Sequence, residues 1–171
     1  MPTLHLLRHA KSSWDDLRMR DHDRPLTGRG ERAASAMAAW LRQNRVMPDL
    51  VLCSSARRTV DTLAAIRSGL PDPLEVLTSR ELYEVGADSL LGRLHRVPDD
   101  VGVLLLIGHN PGLEDLATAL AGPGSAPPAC KALGRKFSTG ALATLEFDGS
   151  WSGLGAGTAR LTRFITPKDL V

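Results

Sequence analysis

Three short stretches of the chain set histidine, arginine and serine directly after apolar runs. Arg8 and His9 follow Leu4 to Leu7, Ser54, Ser55, Arg57 and Arg58 follow Leu50 to Cys53, and Gly108, His109 and Asn110 follow Val101 to Ile107. A guanidinium presents a planar fork that makes paired hydrogen bonds to phosphate. A neutral imidazole is a nucleophile whose phosphorylation divides one hard displacement into two easier ones. Two arginines and two histidines brought to one place would hold a small, doubly charged anion with an imidazole beside it. Phosphate fits best. Taken singly, each residue has an ordinary structural reading, because the chain is arginine-rich and a lone histidine is commonly a satisfied structural residue. Their joint occurrence at three equivalent positions is much harder to obtain by accident.

The elements that must position these residues follow from hydrophobic patterning. Thr3–Leu7 reads as a first strand, Leu50–Cys53 as a second, Leu74–Thr78 as a third and Val101–Ile107 as a strand covered on both faces. Ala141–Phe147 and Ala159–Ile165 read as two more. Between them lie helical stretches. Thr27 caps a helix to Gln43 with Ala33, Met37, Trp40 and Leu41 on one face, and Ser54 and Ser55 are placed to cap a helix carrying Val60, Leu63, Ala64 and Arg67, ended by Gly69. Leu90, Leu91 and Leu94 mark a third helix stopped by Pro98, and Pro111 opens a fourth with Leu113, Leu116, Ala117 and Leu120. Gly122–Pro128 reads as a loop. This alternation predicts one α/β domain over residues 1–171, with a mostly parallel sheet of about six strands. In such sheets ligands sit outside the carboxyl ends of the strands, where helix amino termini favour anions. Gly108 is read as allowing close backbone approach to a ligand.

Composition narrows the class further. At 171 residues and 43% hydrophobic content the chain can bury a core without a disulfide or metal staple. Aromatic residues are only 4%, which leaves little to stack bases on and argues against nucleic acid. Of 21 basic residues four are Lys and the rest Arg, so no arginine counts without a positional reason. Cys53 reads as a buried small residue and Cys130 as part of a Pro-rich loop, with no ligand spacing or disulfide framework. No apolar run approaches the length of a membrane span, and the amino terminus lacks signal-peptide character, so a cytoplasmic protein without a membrane partner is expected. A monomer is expected.

The ordered motifs resemble those of the histidine phosphatase superfamily. Leu-Leu-Arg-His-Ala (6–10) is similar to its Arg-His-Gly signature, and Ser-Ser-Ala-Arg-Arg-Thr-Val-Asp-Thr (54–62) to its Ser-x-x-x-Arg-x-x-x-Thr segment. The latter selects Arg58 rather than Arg57. Gly-His-Asn-Pro (108–111) resembles the second histidine motif. Ala-Lys-Ser-Ser-Trp-Asp-Asp, followed by Asp-His-Asp-Arg-Pro-Leu-Thr-x-Arg-Gly (21–30), resembles the small SixA-type phosphohistidine phosphatases. The resemblance implies a phosphoglycerate mutase-like three-layer α/β/α sandwich, with His9 as nucleophile and Arg8, Arg58 and His109 as the phosphate pocket. It implies a phosphohistidine protein as substrate and no cofactor. The family's proton-donor glutamate has two candidates, Glu81 and Glu84. The short chain leaves little room for the insertions that cover a small substrate, and an open site suits a protein-borne one. Lys11 and Arg20 lie in a wall loop, Lys11–Arg24, within reach of an acidic or phosphorylated partner. A general phosphomonoesterase of the same fold and a non-catalytic phospho-ligand module remain alternatives.

Two other chemistries have weaker support. A cysteine-dependent phosphatase needs Cys, five residues, then Arg; six positions after Cys53 stands Thr59, and Arg58 comes one too early. A metal-dependent hydrolase would draw on His5, His9, His22 or His109 with Asp21 and Asp23. His5 and His9 are spaced to share a face only on a helix, and that segment reads as a strand. Asp21-His22-Asp23 is expected to be a solvated turn.

Overall fold

The computed structural model describes residues 1–170. Its centre is one six-stranded sheet in the order β3-β2-β4-β1-β5-β6. The strands are β1 (Thr3–Arg8), β2 (Leu50–Ser54), β3 (Glu75–Ser79), β4 (Val103–Gly108), β5 (Leu142–Phe147) and β6 (Ala159–Ile165). Pairing is parallel through β3, β2, β4 and β1, while β5 runs antiparallel to both of its neighbours. The helices are α1 (Gly28–Gln43), α2 (Arg57–Ile66), α3 (Ala87–Leu94), α4 (Gly112–Leu120) and α5 (Pro127–Arg135).

Two separate hydrophobic clusters sandwich the sheet. Leu4, Leu6, Leu50, Leu52, Leu104 and Leu106 pack toward α3, α4 and α5, whereas Leu7, Val51, Cys53, Leu105 and Ile107 pack toward α1 and α2. Strand periodicity sends alternate side chains to opposite faces, so both faces of the apolar run in β4 are buried. The result is the expected three-layer α/β/α arrangement. It also creates a crevice, since β1 and β4 are neighbours but feed helices on opposite faces of the sheet.

Several local expectations change. Thr27 caps α1 as predicted, its hydroxyl accepting from Gly30 N at 2.9 Å. Ser54 and Ser55 do not cap α2 in the same way: the N-cap is Ala56, and the two hydroxyls instead meet His109 and His22. The buried side of α2 is Arg58, Thr59, Thr62 and Ile66, not the Val60 and Ala64 side, because polar residues of this helix are turned inward. α5 occupies part of the Pro-rich stretch read as loop and carries Cys130; Pro127 and Pro128 stand in its first turn, where a missing N–H costs nothing.

Candidate active site

His9 and His109 each lie one residue beyond the paired ends of adjacent strands. Arg8 is in register with Gly108, and His9 N donates to Gly108 O at 3.1 Å, so the two rings face one crevice with centroids 5.4 Å apart. Arg58 enters from the first turn of α2. Thr62, one turn further on, ties that helix to the β1 loop, accepting from Ala10 N at 3.0 Å and donating to Arg58 O at 2.7 Å. Arg8 is braced by Phe137 O at 2.9 Å, and the same carbonyl accepts from Asn110 Nδ2.

These side chains border a cavity of about 470 Å³. Arg8, His9, Arg58 and His109 all line it, as do Lys11 and Glu84. Five cations (Arg8, Lys11, Arg24, Arg58 and Lys136) face two carboxylates, Asp21 and Glu84, so the cavity favours anions.

The His9 ring is oriented by its own loop. Its Nδ1 lies 2.7 Å from Ala10 O. A carbonyl only accepts, so Nδ1 carries the proton and Nε2 keeps its lone pair. Burial is the main reason that the His9 pKa is lowered to about 4, with Arg58, Arg8 and Arg24 acting in the same direction against the Ala10 hydrogen bond. Burial, followed by the Arg58 charge, lowers His109 to about 3. Both rings are therefore neutral near pH 7. His109 Nε2 contacts Ser54 Oγ at 2.7 Å. His109 Nδ1, Arg8 Nε and Arg58 Nε are buried without a hydrogen-bond partner among the described residues. Buried polar groups are normally satisfied, and all three belong to residues lining the anion-favouring cavity.

The turn Asp21–Asp23 is not the solvated turn expected. Asp21 accepts from Arg58 Nη2 at 3.0 Å, from Arg24 Nε at 3.1 Å and from the Tyr83 hydroxyl. Burial alone would raise its pKa, but the hydrogen bond from Tyr83 and the Arg58 charge outweigh that and hold it at about 2. Glu84 accepts from the same Arg58 Nη2 at 2.9 Å. Arg58, only 1% exposed, is thus held by two carboxylates. Trp14 stacks over Arg24 at 3.5 Å and is 66% exposed. Asp21, weighed only as a metal ligand, and Arg24 and Trp14 were not singled out for a phosphate site; their signals were the Asp-x-x-Arg-Pro-Leu-Thr stretch and, for Trp14, the Ala-Lys-Ser-Ser-Trp-Asp-Asp stretch before it.

Glu81 does not join the group. Its carboxylate accepts from Arg96 at 3.0 and 3.1 Å and lies near Arg93, outside the cavity lining. Gly108 also differs from expectation: a Cβ there would meet the Leu106 and Leu113 side chains, so its smallness serves packing under the site. Cys53 is fully buried, and burial pushes its thiol up to about 12, far from the thiolate that a cysteine nucleophile requires. Among the described residues no three His, Cys, Asp or Glu side chains converge to hold a metal ion, and no helix is long and apolar enough to cross a membrane.

A doubly covered α/β sheet with two neutral histidines and two arginines at its carboxyl edge defines a phosphatase of the histidine-dependent class. The chain belongs to the histidine phosphatase superfamily (branch 1), whose pattern matches residues 4–100. It is similar to phosphohistidine phosphatase SixA of Escherichia coli K12, 32% identical over 152 residues that cover 86% of this chain and 87% of that one. An uncharacterised protein of Mycobacterium tuberculosis H37Rv is 37% identical over 163 residues, covering 95% of this chain and all of the relative. Among solved structures, a candidate SixA from Nakamurella multipartitia superposes with a TM-score of 0.84 at 36% identity, covering 97% of this chain and 96% of the other. Protein histidine phosphatase SixA complexed with tungstate gives 0.80 at 26% identity, with 99% of each chain covered.

Proposed function

We propose that the protein hydrolyses phosphohistidine on a protein substrate through a phosphorylated His9. The observation that carries the reading is the His9 ring itself: Nδ1 is tied to Ala10 O, which leaves the Nε2 lone pair as nucleophile in a cavity rich in cations. Arg8 and Arg58 neutralise charge on the transferring phosphoryl oxygens and hold them in line for attack. His109, neutral and with Nδ1 unpartnered among the described residues, donates a further hydrogen bond to those oxygens. Lys11 adds charge at the cavity wall. The Nε2 pair attacks phosphorus and the P–N bond to the substrate imidazole breaks. Water then cleaves the phosphoryl group from His9, restoring the free ring.

The acid side of the site supports this substrate over a phosphomonoester. An alkoxide needs a proton on departure, whereas an imidazole leaves more readily without a dedicated donor. Asp21 is held ionised, and Glu81 is turned away to Arg93 and Arg96. Glu84 remains as the one glutamate lining the cavity, and in the resting state its carboxylate is engaged with Arg58. The exposed Trp14 at the rim is consistent with an open mouth, and the likeness to SixA proteins points the same way. The test is a comparison of kcat/KM for a histidine-phosphorylated protein and for small phosphomonoesters. A preference of at least about a hundredfold for the P–N substrate is expected, the scale of losing one general acid step; equal or reversed preference would favour the phosphomonoesterase reading. Binding of phosphate without any turnover would favour a phospho-ligand module.

A further inference from the structure

A second depression, of about 150 Å³, adjoins the candidate active site and shares Lys11, Ser138 and Thr139 with it. Its other walls are Arg29 and Ala33 of α1 together with Pro167 and Lys168 of the last 3-10 turn. Three cations and two hydroxyls surround it, and no carboxylate of the described residues lines it. Asp21 and Glu84, the carboxylates of the neighbouring cavity, are engaged by Arg58. Lys11, Arg29 and Lys168 have no ion-pair partner among the described residues, whereas arginines elsewhere on the surface, such as Arg57 and Arg67, pair with Asp61 and Asp72.

The backbone builds this cluster. Thr27 N donates to Lys11 O at 2.9 Å, and a Cβ on Gly30 would lie 2.2 Å from that same oxygen. The first turn of α1, which carries Arg29, is therefore pressed against the loop that carries Lys11, and only glycine at position 30 allows the approach. Like charges gathered along one wall repel, and an anion between them relieves the repulsion.

We infer that Lys11, Arg29 and Lys168 form a second anion subsite that recognises acidic side chains flanking the phosphorylated residue of a protein substrate. The inference rests on the proposed reading of the neighbouring site and adds the sequence context of its substrate. A second phosphoryl group is a poorer fit. The main cavity offers buried, braced donors such as Arg58, whereas the three cations here are all exposed on long stems, which suits solvated carboxylates.

The test uses two synthetic peptides, each carrying one phosphohistidine, flanked by glutamates in one and glutamines in the other. The wild-type protein is compared with the charge-reversed double variant R29E/K168E, both positions being exposed and outside the catalytic group. Wild type is expected to show roughly tenfold higher kcat/KM for the glutamate peptide at low salt, fading as salt rises from about 0.02 M to about 0.5 M. In the variant that preference disappears or reverses, while turnover of the glutamine peptide stays within about twofold of wild type. Equal rates on both peptides in wild type, or an undiminished preference in the variant, would overturn the subsite while leaving the phosphohistidine reading intact. Hydrolysis of small phosphomonoesters but of neither peptide would overturn that reading, and the subsite with it.

Discussion

His9 differs from an ordinary histidine in having one nitrogen committed to a carbonyl and a pKa lowered chiefly by burial and further by neighbouring arginines. A consequence is that it stays nucleophilic well below the usual imidazole range. Protonation removes the lone pair, and with a pKa of about 4 that loss comes late. Single-turnover phosphorylation of the enzyme, corrected for the donor's own ionisation, is expected to hold from about pH 8 to about pH 5 and to fall only as pH approaches about 4. A break near the unperturbed value of about 6.5 would contradict it. The two glutamates should also separate. Glu81→Gln is expected to leave turnover within about twofold, since that carboxylate serves only Arg93 and Arg96, outside the cavity lining; Glu84→Gln, which removes one of the two carboxylates that hold Arg58, should shift KM for the phosphoryl substrate. Loss of activity in Glu81→Gln of a hundredfold or so would restore it as the acid. Arg8, His9 and His109 were legible because each follows an apolar strand, whereas Arg58 was separated from Arg57 only by the register of the resembling Ser-x-x-x-Arg-x-x-x-Thr segment. Asp21 and Arg24 were not, because their meaning depends on a loop folding back over α2 from far away in sequence. Glu81 lies in a short 3-10 turn, Arg80–Leu82, and Glu84 two residues beyond its end, a register that hydrophobic patterning does not resolve.

At the scale of elements, Arg58 is presented by α2, a helix whose inward face is largely polar. Thr62 is the clearest case, joining the loop after β1 to α2 through two hydrogen bonds. Thr62→Val keeps the shape but leaves Ala10 N without its partner, so a stability loss of about 1–3 kcal/mol is expected, with turnover falling about tenfold as His9 and Arg58 lose their mutual register. Denaturant midpoints and kcat measured on the same variant check both; an unchanged kcat would mean that the two elements are aligned without it. The polar inward face also explains why the buried side of α2 was misread: apolar periodicity points to Val60 and Ala64, while the helix buries Arg58, Thr59 and Thr62. α5 was missed for a different reason. Pro127 and Pro128 suggest a loop, yet in the first turn of a helix proline is well suited, and Ala129 and Leu133 then pack into the core. The strands and their mostly parallel arrangement were legible because continuous apolar runs separated by amphipathic stretches have few other solutions.

For the molecule as a whole, three histidines are buried in neutral form. Burial lowers His5 and His9 to about 4 and His109 to about 3, from an ordinary 6.5. A base whose pKa is lower in the folded state binds fewer protons there than when unfolded. Stability is then fully present above about pH 6.5 and is lost as pH falls toward 4, by at most about 1.4 kcal/mol per pH unit for each such group. Urea midpoints are expected to drop clearly between pH 7.5 and 5; a flat or rising midpoint would mean that these rings are not neutral in the folded protein.

The central claim is that His9 carries the phosphoryl group. Its most direct test is rapid quenching in alkali after mixing the protein with a radiolabelled phosphohistidine peptide, followed by location of the label by mass spectrometry. An acid-labile, base-stable label on His9, absent from His9→Ala along with turnover, is the expected result. A label on another residue, or a His9→Ala protein that still turns over the substrate at the wild-type rate, would contradict it.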